Sequence, residues 1–283
     1  MIRIIADTTS VISTQEAEKL GVPYLPQIIV FGEESYRDDN ELDTETFLKK
    51  LTASPVLPKT AAPPPALYTP IYEQYVSSGD TLIVICPSAE VSGTVRSASI
   101  AAKDFPDADI RVVDTRTIAA GLGSIVRQAV AWVKEGLDAD TLVQRIENLG
   151  RRNRIFFYVN TLEFLYKGGR IGGAQALFGS LLQVKPLLTF VNGRVEPLET
   201  QRTKKRAFSR LEELVLKECP RSEDAHLEIM EVNARDDANQ IIADLKTSLG
   251  VSEIPIRNLP PAIIVHGGPG IIAISFFSDK IIE

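Results

Sequence analysis

Cysteine and histidine are scarce in this chain: Cys86, Cys219, His226 and His266 are the only ones among 283 residues. Two thiols far apart do not make a disulfide framework, and four lone ligands in separate stretches give no support to a structural zinc site. There is no basic excess either. Lys and Arg number 31 against 37 Asp and Glu, a formal charge of −6, which argues against nucleic acid as a partner. Long apolar runs are missing too. Met1-Ile-Arg-Ile-Ile-Ala-Asp7 is too short for a signal peptide or a membrane span, so a cytoplasmic chain without stable membrane insertion is expected. A phosphate-binding nucleotide loop is also wanting. Gly168 to Gly173 is glycine-rich but has no Gly-Lys-Ser/Thr, and Gly121-Leu-Gly123-Ser is not a dinucleotide fingerprint close behind a strand. No nucleotide cofactor is expected, and packing between helices is the plainer reading of those glycines. What the chain does have is 44% hydrophobic residues, enough to bury a sizeable core in one large or two ordinary domains.

The chain is organised around Thr81 to Ala98. Leu82 to Cys86 is apolar throughout, the pattern of a strand buried on both faces of a parallel sheet. A helix follows from about Gly93 to Phe105, with Ser92-Gly93-Thr94 at the join. Helix starts carry free N–H groups and favour negative charge, and open α/β sheets bind ligands at this end of their strands. The loop therefore suggests an anion, phosphate or carboxylate, held by Ser92, Thr94 and nearby amides. The plainer reading makes Ser92 an N-cap.

In chain order, Ile2 to Ala6 reads as a strand ending in Asp7-Thr8-Thr9-Ser10. A helix runs from about Ser13 to Leu20, capped by Ser13 and stopped by Gly21. Val22 to Phe31 is extended, with a turn at Gly32-Glu33-Glu34 and a helix from Asp43 to about Leu51. Ser54 to Pro65 is too rich in proline for regular structure. Helix from about Ala66 to Val76, strand from Ile110 to Val113, and helices over Ile118 to Lys134 and Ala139 to Leu149 complete an alternation typical of a doubly wound, mostly parallel sheet. A boundary falls in Gly150 to Arg154. Beyond it come a strand at Ile155 to Val159, a helix from Leu162 broken by Lys167 to Gly173, and a hairpin over Pro186 to Glu199 about Asn192-Gly193. A helix over Thr203 to Lys217 precedes a strand with one wet face at His226 to Val232. An amphipathic helix over Ala234 to Leu249 follows, then strands at Ile263 to Val265 and Ile271 to Phe277 around His266-Gly-Gly-Pro-Gly270. The fold class is α/β, with domains at 1–154 and 155–283, the second built on a mixed or antiparallel sheet.

Two constellations carry chemistry. Ser92 and His266, both at strand ends, with Asp7 or Asp114 to orient the imidazole, suit an esterase or thioesterase. The surroundings of Ser92 are not a Gly-x-Ser-x-Gly elbow, however. The other is a carboxylate clamp. Thr60, Ser92 and His266 are short donors on three loops that hold a carboxyl group without burying a net charge. No Lys or Arg is needed if an acyl tail supplies the binding energy, at about 0.8 kcal/mol per buried methylene. That tail requires an apolar tunnel, for which Val22 to Phe31 and Leu162 to Leu188 offer lining. The glycines after His266 let backbone approach a ligand.

A set of short stretches recurs in order along nearly the whole chain: Asp7-Thr8-Thr9-Ser10, Lys59-Thr60, Val91-Ser92-Gly93-Thr94 with Ser97-Ala98, Val113-Asp114-Thr115, Leu162-Glu-Phe-Leu-Tyr-Lys-Gly-Gly-Arg-Ile171, Lys185-Pro186, Asn192-Gly193, Gln201 to Ala207, and His266 to Gly270. Together they resemble the DegV family, whose members include the fatty-acid-binding subunits of bacterial fatty acid kinase. The resemblance implies a two-domain protein enclosing one fatty acid between its domains. Its carboxyl would be held by Thr60, Ser92 and His266, with Gly93, Thr94 and Gly267 supporting those loops. It implies no chemistry and no cofactor in this chain, only a bound fatty acid. A separate kinase subunit phosphorylates that carboxyl with ATP, and the acyl phosphate feeds phospholipid synthesis. Arg170 and Arg202 match arginines that meet the kinase, a solvated basic face being the alternative. After Thr60 the chain departs from the family's Ser-Gln-Pro-Ser and reads Ala61-Ala62-Pro63-Pro64. Its turn His266-Gly267-Gly268 also has glycine where a bulkier residue is often found. A lipid-responsive regulator remains a further reading beside the esterase.

Overall fold

Strand runs and helix caps in the first half fall where their residues demand. The computed structural model describes residues 1–177 and 185–281. Its first half runs β1 (Ile2–Asp7), α1 (Thr14–Leu20), β2 (Tyr24–Leu25), β3 (Ile28–Phe31), β4 (Glu34–Arg37), α2 (Thr44–Ala53), β5 (Lys59–Ala61), α3 (Pro65–Val76), β6 (Thr81–Cys86), α4 (Thr94–Ala102), β7 (Ile110–Asp114), α5 (Ala119–Lys134) and α6 (Ala139–Arg152). Ser13 and Asp43 cap α1 and α2 by accepting the N–H groups of Glu16 and Thr46, each such cap being worth about 1 kcal/mol. Gly21 ends α1 in the left-handed region at φ 70°.

The second half gives β8 (Asn153–Tyr158), α7 (Glu163–Lys167), β9 (Lys185–Val191), β10 (Arg194–Gln201), α8 (Lys204–Glu218), β11 (Glu228–Glu231), α9 (Arg235–Leu249), β12 (Ile256–Asn258), α10 (Pro261–Gly267) and β13 (Ile272–Phe277). Asn192 and Gly193, at φ 51° and 81°, form the turn joining β9 to β10. Both positions need positive φ, as a type I′ hairpin turn does.

Two compact units result. One takes Met1–Ser54, Pro58–Arg151 and Pro260–Ala262; the other takes Pro55–Leu57, the described residues from Arg152 to Leu259, and those from Ile263 onward. The first holds the parallel sheet β2-β1-β6-β7 and a small antiparallel sheet β4-β3-β5. On β6, Leu82, Val84 and Cys86 face Tyr68 and Tyr72 of α3 and Ala98 of α4. The alternate residues Ile83 and Ile85 are also fully buried, and α5 packs on β1 and β6. A strand covered on both faces has to be apolar throughout, which is why β6 shows no alternation. Gly123 explains one glycine cluster as packing. A Cβ there would lie 2.2 Å from the Ser10 carbonyl oxygen, so only glycine lets α5 lie against that turn.

The second unit holds the six-stranded sheet β10-β9-β8-β13-β11-β12. It is mixed: β11 and β12 pair in parallel, the other neighbours antiparallel. Helices α8 and α9 cover it through Leu211, Val215, Ile241 and Leu245.

Three sequence expectations are corrected. Ser54 to Pro65 is not wholly irregular, because Lys59, Thr60 and Ala61 form β5 at the edge of the small sheet. Prolines flank these residues without occupying them, and proline favours extended neighbours. The expected wet face of β11 is absent, since all four of its residues are buried. Its two carboxylates are paired instead, Glu228 with Arg257 Nε at 2.8 Å and Glu231 with Arg235 Nε at 3.0 Å. Finally, Ile263 to Val265 belongs to α10, not to a strand. A run of four apolar residues does not distinguish a buried helix from a strand. Pro261 opening the run was the helical signal.

Candidate polar site behind Ser92

Ser92 sits in the loop after β6, two residues before the first residue of α4. It is not the N-cap. Gly93 holds that position, and no side chain caps the helix. Ser92 instead bonds to the first helical residue. Its Oγ lies 2.9 Å from Thr94 Oγ1 and accepts the Thr94 N–H at 3.3 Å. Such a serine turn competes with capping for the same hydroxyl. Ser92 is half-buried, while Thr94 is buried.

Behind Thr94 the polar groups continue inward. Gln27 Nε2 donates to Thr94 Oγ1 and to Asp7 Oδ2, both at 3.1 Å. Asp7 Oδ1 accepts the Thr9 N–H at 2.8 Å and the Thr9 hydroxyl. Burial raises the Asp7 carboxyl to about 6 against the pull of those donors. Asp38 Oδ1 accepts the Thr8 hydroxyl at 2.7 Å and the Gln27 N–H at 2.8 Å. It is raised to about 7, by burial first and by the Asp7 charge in addition. Two buried carboxyls thus meet at the two ends of one glutamine.

Thr60 comes into the same neighbourhood through β5. It stands opposite Ile29 of β3, and Ala61 stands opposite Ile28, the residue after Gln27. Ala62 then reaches the Ser92 loop, its Cβ 3.5 Å from where a Gly93 side chain would begin. The departure at Ala62 therefore sets a methyl group beside the loop. Asp114, considered as an imidazole partner, accepts the Arg116 N–H at 2.9 Å.

His266 lies in the second unit, in the last turn of α10 and not at a strand end. The helix stops when Gly268 turns left-handed at φ 73°, its N–H bonding to the Ile264 carbonyl at 2.8 Å. Gly267 is buried against Ile271. Desolvation, then the charge of Arg170, pushes the His266 imidazole down to about 4. The ring is therefore neutral at physiological pH and offers one donor and one acceptor. Gly168 forms its seat: a Cβ on Gly168 would be 2.2 Å from His266 Nδ1. Arg170 folds back on the same loop, its Nη1 donating to the Gly168 carbonyl at 2.8 Å, while Arg202 is exposed. The part of the expected tunnel lining at 178–184 lies outside the described residues.

The family model described as an uncharacterised protein of the DegV family matches residues 1–279. The chain belongs to the DegV family. A DegV domain-containing protein of Halalkalibacterium halodurans is 31% identical over 280 residues, covering 99% of each chain. Protein DegV of Bacillus subtilis is 30% identical over 274 residues, 96% of this chain and 98% of the relative. Among solved structures, a DegV family protein from Thermus thermophilus, described for its fatty acid binding, superposes with a TM-score of 0.90 at 30% identity, covering 98% of this chain and 99% of its own. Bacillus subtilis DegV, described as a fatty acid binding protein, gives 0.85 at 30% identity over 98% and 99%. No helix among the described residues of this DegV chain is long and apolar enough to cross a membrane.

Gln27 and Asp38 went unnoticed in the sequence reading. The signal for Gln27 was a polar residue set in the apolar run Leu25 to Phe31, a position that a half-buried strand reserves for a partnered group. Asp38 carried no comparable signal, because a turn of acidic residues is ordinarily solvated.

Proposed function

We propose that this DegV-family chain binds a long-chain fatty acid and presents its carboxyl group to a separate fatty acid kinase, acting in the cytoplasm and in the service of phospholipid synthesis. The chain itself does no chemistry. The strongest support is the likeness to the two fatty-acid-binding DegV structures, at 30% identity over 98% of this chain. The polar architecture agrees with it. Ser92, Thr60 and His266 are proposed to hold the carboxyl, with Gly93, Thr94 and Gly267 shaping their loops, and each of the three supplies a neutral hydrogen-bonding group. Arg170 and Arg202 are proposed to meet the kinase.

Native mass spectrometry of the purified protein is expected to find one fatty acid bound. Ser92→Ala and His266→Ala are each expected to weaken that binding about tenfold, the worth of one hydrogen bond to a charged group. A protein that stays empty with C16 and C18 fatty acids would end this reading. Turnover of an acyl ester by the chain alone would establish the esterase in its place.

A further inference from the structure

The hydrogen-bond chain behind Ser92 has a direction. Asp7 is 1% exposed, and once ionised its oxygens only accept. That fixes which way round the Gln27 amide sits, because its carbonyl would be repelled by the carboxylate. The Gln27 Nε2 therefore spends one N–H on Asp7 Oδ2 and the other on Thr94 Oγ1, both at 3.1 Å. Having accepted from Gln27, the Thr94 hydroxyl has a single proton to give, and Ser92 Oγ stands 2.9 Å away. Ser92 Oγ also takes the Thr94 N–H at 3.3 Å. Both Ser92 lone pairs are then engaged, and only its proton is left.

We propose that Asp7, Gln27 and Thr94 are positioning residues that fix Ser92 as a hydrogen-bond donor alone, so that the head group it holds must present an acceptor oxygen, the one role open to a carboxylate. This rests on the fatty-acid reading above. It also makes Ser92 a poor nucleophile, with no lone pair to attack an ester. The competing arrangement is that Thr94, which also lies beside Asp7, turns its proton to that carboxylate. Ser92 would then donate to Thr94 and face its ligand with lone pairs.

Asp7→Asn separates the two at pH 8, where the wild-type carboxyl is ionised. The new amide donates toward Gln27, so the Gln27 amide turns over and presents its carbonyl to Thr94. Thr94 then donates backward to Gln27, Ser92 donates to Thr94, and Ser92 becomes an acceptor. The expected result is that affinity for a C18 fatty acid falls about tenfold, while that for the C18 primary alcohol, which can donate, is kept within twofold. Removing a negative charge would by itself tighten an anion, so a fall runs against plain electrostatics. In a Ser92→Ala background the same substitution should change fatty-acid affinity less than twofold. Equal losses for acid and alcohol, or the same loss without the Ser92 hydroxyl, would overturn the proposal. So would unchanged fatty-acid affinity. If Asp7→Asn does not fold, Thr94→Val carries the same cycle, its loss for the acid again vanishing in the Ser92→Ala background.

A ligand-free measurement tells failure of the relay from failure of the fatty-acid reading. The side-chain amide protons of Gln27, followed by NMR, should exchange slowly in the wild type and at least tenfold faster in Asp7→Asn. Equal exchange overturns the relay whatever the ligand is. Slow exchange in a protein that binds neither acid nor alcohol supports the relay and sinks the fatty-acid reading.

Discussion

Gly168→Ala is expected to displace the His266 imidazole, and so to weaken the proposed fatty-acid binding at least as much as His266→Ala does. A Cβ at position 168 would stand 2.2 Å from His266 Nδ1, 2.9 Å from Cε1 and 2.9 Å from the Phe164 carbonyl oxygen. The backbone there is ordinary, at φ −77°, so alanine brings no strain of its own and the whole effect is steric. Neither neighbour yields easily: one is a ring in the last turn of α10, the other a carbonyl within α7. The imidazole has to leave its place. Overpacking of this kind costs about 1–3 kcal/mol of stability, and fatty-acid binding should drop about tenfold or more. Gly169→Ala is the control. Gly169 has φ 68°, with nothing within 4 Å of a built Cβ. It should cost about 1–2 kcal/mol in backbone strain and leave binding within twofold. Calorimetric titration with a C18 fatty acid, together with the NMR shifts of the His266 ring, checks both. Should Gly168→Ala bind as the wild type does, the seat assigned to His266 is wrong.

That seat shows where sequence reasoning stops. The run Gly168 to Gly173 is visible in the sequence as glycine-rich and lacks the Lys-Ser/Thr of a nucleotide loop. What the glycines were for depended on a residue about a hundred positions away. The legible features were local. Ser13, Asp43 and Thr203 announce helices through their own side chains, and Asn192-Gly193 specifies a hairpin through its own φ angles. The unbroken apolar run of β6 states that both its faces are covered. The features misread were those in which tertiary partners outvote the local pattern. The carboxylates of β11 look wet until Arg257 and Arg235 neutralise them. The stretch Ile263 to Val265 looks like a strand by its β-branched residues, although it lies within a helix opened by Pro261. The reading of Ser92 as a cap fails because Thr94 takes the hydroxyl. The network behind it joins Asp7, Gln27 and Thr94, which no spacing rule relates.

The same network makes the stability of the first unit depend on pH in a direction opposite to ordinary acid unfolding. Burial, aided by the nearby Asp7 charge, raises Asp38 from 3.8 to about 7. A carboxyl whose folded value lies above its unfolded one binds its proton more tightly in the native state. Its stabilising contribution is therefore complete below about pH 3.8 and is lost as pH rises through about 7. Asp7, raised to about 6, works in the same sense. Asp38→Asn keeps an oxygen for Thr8 and Gln27 but cannot ionise. Between pH 5 and 7.5 the wild type should lose about 2–3 kcal/mol more than this variant. Urea unfolding followed by Trp132, the single tryptophan of the chain and part of α5 in the same unit, reads this out. Taking the difference between the two proteins cancels His266. Its depressed value gives the reverse slope, with stability present above pH 6.5 and lost as pH falls toward about 4. Parallel curves for wild type and Asp38→Asn would mean that Asp38 is not held in its protonated form. Convergence at pH 5 with divergence at pH 7.5 would identify the pair of buried carboxyls as a standing cost, retained at neutral pH because Asp7 must be charged to orient Gln27.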